Sequence, residues 1–142
     1  MRLPRGLKNN NPGNIDRTAT VWQGMSKDQS GDSRFIVFDA PEWGIRALAK
    51  TLMTYQSKHK INTIRGIINR WAPPVENNTD AYVNAVAKAV GVRADSVIDL
   101  GNYVVIRPLV EAIIHHENGQ QPYSDKEIDE GLHRAGVKTG RS

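Results

Sequence analysis

Apolar residues recur at helical spacing along most of the chain. Ile45, Leu48, Ala49, Leu52 and Met53 form one stripe, and Ile64, Ile67, Ile68 and Trp71 a second. Tyr82, Val83, Val86 and Val90 form a third, and Ile106, Leu109, Val110, Ile113 and Ile114 a fourth. Each spacing predicts a helix with one buried face. The flanking residues set the ends. Asp39-Ala40-Pro41-Glu42 combines a capping Asp, a first-turn Pro and a Glu three residues on, and opens a helix running to about Lys58. Asn62-Thr63 opens the next, which Ala72-Pro73-Pro74 stops. Asn77-Asn78 and Gly91 bracket the third, and Asn118-Gly119 closes the fourth. Pro108 inside that last stripe predicts a start near Arg107, or a kink there. Asp95–Leu100 reads as a short helical turn. Ser124 caps a final helix over Asp125–Ala135, and Gly136–Ser142 reads as a frayed tail.

The remaining pattern is not helical. Met1–Lys8 is a basic lead-in, and Asn9–Ile15, with three Asn, a Pro and a Gly, reads as a tight turn. Thr20–Met25 and Arg34–Phe38 are rich in β-branched and aromatic residues and flank the turn-forming Ser26–Ser33, which predicts a small β-hairpin. The expected fold is mainly α (an α+β arrangement): a single domain over residues 1–142, with a ligand cleft between hairpin and helices.

Composition narrows the function. The chain has 142 residues, 39% of them hydrophobic, a net charge of +4 and no cysteine. A disulfide framework and a thiolate metal site are excluded. No apolar run is long enough to cross a membrane, and Met1–Asn10 lacks the apolar segment of a signal peptide, so membrane insertion is not expected and delivery beyond the cytoplasm would need another route. Positive charge suits a polyanion such as nucleic acid or a bacterial wall. The basic residues are dispersed, without an aromatic-rich basic motif, which argues against nucleic acid as the partner. A monomer is expected.

Glu117 is the leading candidate for chemistry. It follows Ile113 by four residues and Ile114 by three, at the end of an apolar helix. The helix dipole and apolar neighbours both disfavour a charged carboxylate there. A carboxylic acid that keeps its proton near neutral pH is what glycosidic-bond cleavage requires. Asp32, in the hairpin turn, is a candidate second carboxylate facing a substrate, although such residues commonly cap turns. Glu42 is explained by its place in a helix start. His115-His116 is not a metal motif, because adjacent side chains diverge by about 100° on a helix. No nucleophile elbow or phosphate-binding loop is present.

Three stretches together resemble lysozyme-like peptidoglycan glycosidases. Glu76–Val86, with Thr79, Tyr82 and Val83, resembles a segment of soluble lytic transglycosylases in which a tyrosine hydrogen-bonds near the catalytic glutamate; Tyr82 is the matching position. Asn11-Pro12-Gly13-Asn14-Ile15, followed by Trp22-Gln23-Gly24 and Phe35–Phe38, resembles the loop-and-hairpin order of flagellar-type glucosaminidases. Ile113–Gly119 resembles the helix end that carries the catalytic glutamate, with Asn118 where the family has Ser. The glutamate helix comes last here rather than first, so the resemblance implies a circularly permuted lysozyme-like fold. Phage-borne proteins, some described as virion components and others as endolysins, share the same motifs over about Arg5–Ala135. The resemblance implies a lytic transglycosylase acting on peptidoglycan glycan strands, without a cofactor or metal. Glu117 would be the acid and base and Tyr82 its partner, with Asn11, Asn14, Gln120, Gln121 and Asp32 as substrate contacts. It would be made in the bacterial cytoplasm and act at the wall after lysis, after export or as part of a virion. A hydrolytic lysozyme using Asp32 and a non-catalytic wall-binding or virion protein are the alternatives.

Overall fold

The computed structural model describes residues 3–75 and 77–139. Glu76, which opens the Glu76–Val86 motif, and residues 140–142 of the expected tail lie outside the described residues. The described chain is mainly helical: α1 (Arg5–Lys8), α2 (Pro41–Ser57), α3 (Ile64–Trp71), α4 (Thr79–Val90), α5 (Tyr103–Asn118) and α6 (Asp125–Arg134).

The helix ends follow side-chain chemistry. Thr63 accepts from the Gly66 N–H, Asn78 from Ala81 and Asn102 from Val104. Ser124 and Glu127 satisfy each other's backbone N–H groups in a capping box at α6. Three expectations fail here. Asp39 does not cap α2: Ala40 holds that position, and the Asp39 carboxylate accepts from the Ser26 hydroxyl at 2.7 Å. α5 begins at Tyr103 rather than near Arg107 and runs through Pro108. The Asn102 cap secures an earlier start, and burial of Ile106, Leu109 and Val110 offsets the backbone bond that Pro108 cannot make. Asp95–Leu100 forms turns rather than a helical turn.

One core joins α2 through α6. Ile45, Leu48 and Leu52 of α2 meet Ile67 and Ile68 of α3, Val83 and Val86 of α4, Leu109, Val110 and Ile113 of α5, and Ile128 and Leu132 of α6, all fully buried. α2 packs chiefly on α6, and α4 on α5. Val137 is also buried in this core, so the segment after Gly136 is packed at least that far.

The expected hairpin is not a regular one. Among the described residues there are only two isolated bridges, Asp16 with Phe35 and Met25 with Phe38. The Arg34–Phe38 arm borders residues 15–17 as well as Met25: Ile36 N–H donates to the Ile15 carbonyl and Arg17 N–H to the Arg34 carbonyl. Side-chain amides replace the ladder. Asn11 Nδ2 donates to the Ile15 and Ile36 carbonyls at 3.0 and 2.9 Å, and its Oδ1 accepts from Ile15 N–H. Gln29 Oε1 accepts from Val37 N–H, and its Nε2 donates to the Ser26 and Val37 carbonyls. Ile36, Phe38 and Ala47 form a small second core beneath, covered by Ile15, Trp22, Met25 and Trp43.

Asp32 is the polar centre of this region. Its carboxylate is buried and accepts two bonds from Arg5, one from Asn9 Nδ2, and the N–H groups of Arg34 and Phe35, all at 2.7–2.8 Å. The Arg5 guanidinium, aided by the Phe35 and Arg34 N–H groups and by Asn9, outweighs burial and holds the carboxyl well below the usual range.

Ile113→Ala should cost about 2–5 kcal/mol, read as a lower midpoint in denaturant unfolding; an unchanged midpoint would mean that α5 does not depend on this face. Asp32→Asn should cost about 1.5–3 kcal/mol at pH 7 through its charge-assisted bonds. The folded carboxyl lies below its unfolded value of about 3.9, so this stabilisation is complete above that value and fades as pH falls. The stability gap between wild type and Asp32→Asn should therefore narrow in melts below about pH 4, and a constant gap would refute the assignment.

Candidate functional site

Glu117 occupies the last turn of α5. The helix stops where Gly119 enters the left-handed region at φ 73°, its N–H donating to the His115 carbonyl at 2.8 Å. The preceding residue, Asn118, is buried, and its Nδ2 donates both to Ile114 O at 2.9 Å and to Pro12 O at 2.8 Å. One amide thus joins the end of α5 to the Asn-rich loop, 106 positions earlier in the chain.

That junction delivers Asn14 to Glu117. Asn14 adopts φ 51°, a conformation Asn tolerates better than most side chains, and its Nδ2 donates to Glu117 Oε1 at 3.3 Å. The other oxygen, Oε2, accepts from the Tyr82 hydroxyl at 3.0 Å. Tyr82 comes from α4 and is 2% exposed. Burial, then the charge of Glu117 and the bond to it, push its phenol far above the ordinary value, against the lowering influence of Trp71. Tyr82 therefore stays a donor at any physiological pH. The His116 ring stacks on it, with centroids 3.7 Å apart and planes 20° from parallel.

Glu117 and Asn14 line an open cleft of about 490 Å³. Its other walls are Gly13, Ile15, Asp16 and Thr18 of the first loop, Arg34 and Phe35 of the second arm, Thr51 and Tyr55 of α2, and Trp71 to Pro73 with Asn77. Phe35, Tyr55 and Trp71 give it aromatic surface. Thr79, whose hydroxyl donates to the Ala72 carbonyl at 2.6 Å, ties the start of α4 to the end of α3 beside this wall.

The structure brings together Glu117, Tyr82 and Asn14 and separates the other expected site residues from them. Asn11 is fully buried and its amide is spent on Ile15 and Ile36, so it shapes the loop and does not line the cleft. Asp32 is turned inward onto Arg5 and Asn9, which corrects its assignment as a carboxylate facing a substrate. Gln121 bonds Glu111 and the Tyr123 N–H and lines a different cavity, between α4 and α5. Gln120 is exposed and off the cleft wall, and Glu42 lies by α6. Among the described residues no group of three or more His, Asp or Glu side chains converges as metal ligands, and no helix is long and apolar enough to cross a membrane. The stack of His116 on Tyr82 and the cleft wall of Phe35, Tyr55 and Trp71 were not read from the sequence. The i,i+4 pair Thr51 and Tyr55 was the available signal for part of that wall.

No family model matches the chain. Compared with known proteins, it is similar to a bacteriophage protein, 39% identical over 131 residues that span 90% of this chain and 79% of the other. That relative is Protein P5 of Pseudoalteromonas phage PM2, and the chain belongs to its family.

Gly6 of α1 sits behind the site. A Cβ there would lie 2.6 Å from Asn118 Oδ1, 2.8 Å from Asn14 Oδ1 and 2.9 Å from the Asn11 carbonyl. Gly6→Ala should therefore push apart the residues that hold Glu117 and cost about 1–3 kcal/mol in denaturant melts. A wild-type midpoint would show that α1 can shift without disturbing them.

Proposed function

We propose that this protein is a peptidoglycan-cleaving glycosidase on a circularly permuted lysozyme-like fold, and that it acts as a lytic transglycosylase. The observation that carries the reading is the carboxyl of Glu117 on a cleft wall, with Tyr82 donating to one oxygen and Asn14 to the other. The two donors fix the plane of the carboxyl, as positioned acid–base catalysis requires. Glu117 in its protonated form gives its proton to the oxygen bridging N-acetylmuramic acid and N-acetylglucosamine, and the glycosidic bond breaks. The resulting carboxylate takes the proton of the muramic 6-hydroxyl as that oxygen closes on the anomeric carbon, leaving a 1,6-anhydro sugar. Glu117 is regenerated protonated and no water is consumed. Tyr82 keeps its proton throughout and steadies the carboxylate.

A single glutamate suffices for this intramolecular attack. The inward orientation of Asp32 favours it over hydrolysis with Asp32 as the second carboxylate. The other acid on the cleft wall, Asp16, is paired with Arg34 at 2.7 Å. The site of action in this reading is the bacterial wall, reached after lysis, by export or within a virion.

Mass spectrometry of soluble products from purified sacculi tests the proposal. Wild type should release anhydro-muropeptides and Glu117→Gln none. Tyr82→Phe should keep the fold and lose about 10- to 100-fold in rate, the worth of one bond to a charged group. Reducing-end products would overturn the transglycosylase step and point to Asp16. No product from wild type, with the protein still bound to the walls, would leave a binding protein.

A further inference from the structure

Tyr55, at the edge of the cleft wall, carries a cation on its ring: Arg70, from the last turn of α3, lies 5.2 Å above the centroid. Arg70 Nη2 also meets His59 Nε2 at 3.2 Å, just past the end of α2. A guanidinium has no acceptor, so this imidazole nitrogen must accept, and the proton of the neutral ring lies on Nδ1, where it is a donor. Desolvation, then the charges of Arg70 and Lys58, hold His59 below its ordinary range, so it is neutral at pH 7. Both charges that act on it are positive. The neighbouring Lys60 is explained by local structure, since its ammonium donates to the Ser57 carbonyl at the helix end. Arg70 is not: its partners are a neutral ring and an aromatic face.

We propose that Arg70, His59 and Lys58 form an anion-binding subsite at the Tyr55 end of the cleft, which takes a carboxylate carried on the glycan. The proposal rests on the peptidoglycan reading and deepens it. The one acceptor among the three side chains, His59 Nε2, is taken by Arg70, so what they offer a ligand is donors, the chemistry that recognises an oxyanion. A peptidoglycan strand carries such groups at regular intervals, in the lactyl ether of muramic acid or in the stem peptide attached to it. Arg70 is held in place by the Tyr55 ring and by His59, so little side-chain freedom is lost when it binds. A glycan lying along Tyr55 and Trp71 would bring its side groups to this edge.

Calorimetric titration in a Glu117→Gln background, where strands stay intact, tests the subsite. The probes are the neutral N-acetylglucosamine hexamer, glycan strands stripped of peptide, strands that retain it, and inorganic phosphate. Charged strands should bind about tenfold tighter than the hexamer, as expected for one charge-assisted contact. Adding Arg70→Gln should abolish that preference and leave hexamer binding intact. A gain already present in stripped strands assigns the lactyl group, and one that needs the peptide assigns the stem. The NMR titration of His59 should move to higher pH with charged strands and not with the hexamer, a response that loss of packing alone would not give. Equal affinity for hexamer and strands, or a preference that survives Arg70→Gln, would overturn the subsite while leaving the glycosidase reading standing. Tighter binding of inorganic phosphate than of either strand would overturn the carboxylate assignment. Failure of every glycan to bind would instead overturn the glycosidase reading itself.

Discussion

The amide of Asn118 holds the site together. Its nitrogen bridges the last turn of α5 to Pro12 O and, with the bond from Asn14 to Glu117, ties the Asn-rich loop to the helix end. The bond to Pro12 is buried, so breaking it would strand a carbonyl and an amide away from water. The loop side of the site inherits its geometry from this contact. Asn14 lies two residues beyond Pro12 and reaches one carboxyl oxygen, while Tyr82, anchored through the α4–α5 packing, reaches the other. The loop, α4 and α5 are far apart in sequence and meet at one side chain.

The loop region that carries Asn14 is held differently from the helical body. There apolar burial does most of the work. Between α1 and α2 the chain has almost no regular secondary structure, and its backbone groups are met by side-chain amides from Asn11 and Gln29. The carboxylate of Asp32 collects Arg5, Asn9 and two backbone N–H groups into one buried knot. Such a knot is directional: each acceptor has a fixed place, so the loop has one conformation rather than many. That rigidity lets an irregular segment serve as a wall of the cleft.

The helical body was legible in the sequence because its signals are local. Thr63, Asn78 and Ser124 cap within three residues of themselves, and the stripes of α2 to α5 repeat at a period any window detects. Glu117 was legible for a related reason, because it sits at a fixed offset from a helix stop, whereas the pairing of Tyr82 with it came from the family resemblance and not from spacing. The hairpin misled because β-branched and aromatic content reports a buried extended segment, not the partner that satisfies its backbone. Asn11 and Asp32 looked like cleft residues because polarity in a loop reads the same whether it points inward or outward. Their true partners, Ile36 and Arg5, are more than twenty positions away and leave no mark on spacing.

Asn118-Gly119 also gives the molecule a chemical clock. An Asn before Gly is prone to deamidation, since the Gly nitrogen attacks the side-chain carbonyl with little steric hindrance. In the folded chain that nitrogen is committed to the His115 carbonyl, and the Asn118 amide is buried and doubly bonded. Ageing of this residue is thus suppressed while the protein is folded and resumes whenever α5 frays. The isoaspartate or aspartate so formed would replace the donor to Pro12 with a negative charge adjoining Glu117. Molecules that have spent long unfolded would carry a lasting chemical mark at the end of α5.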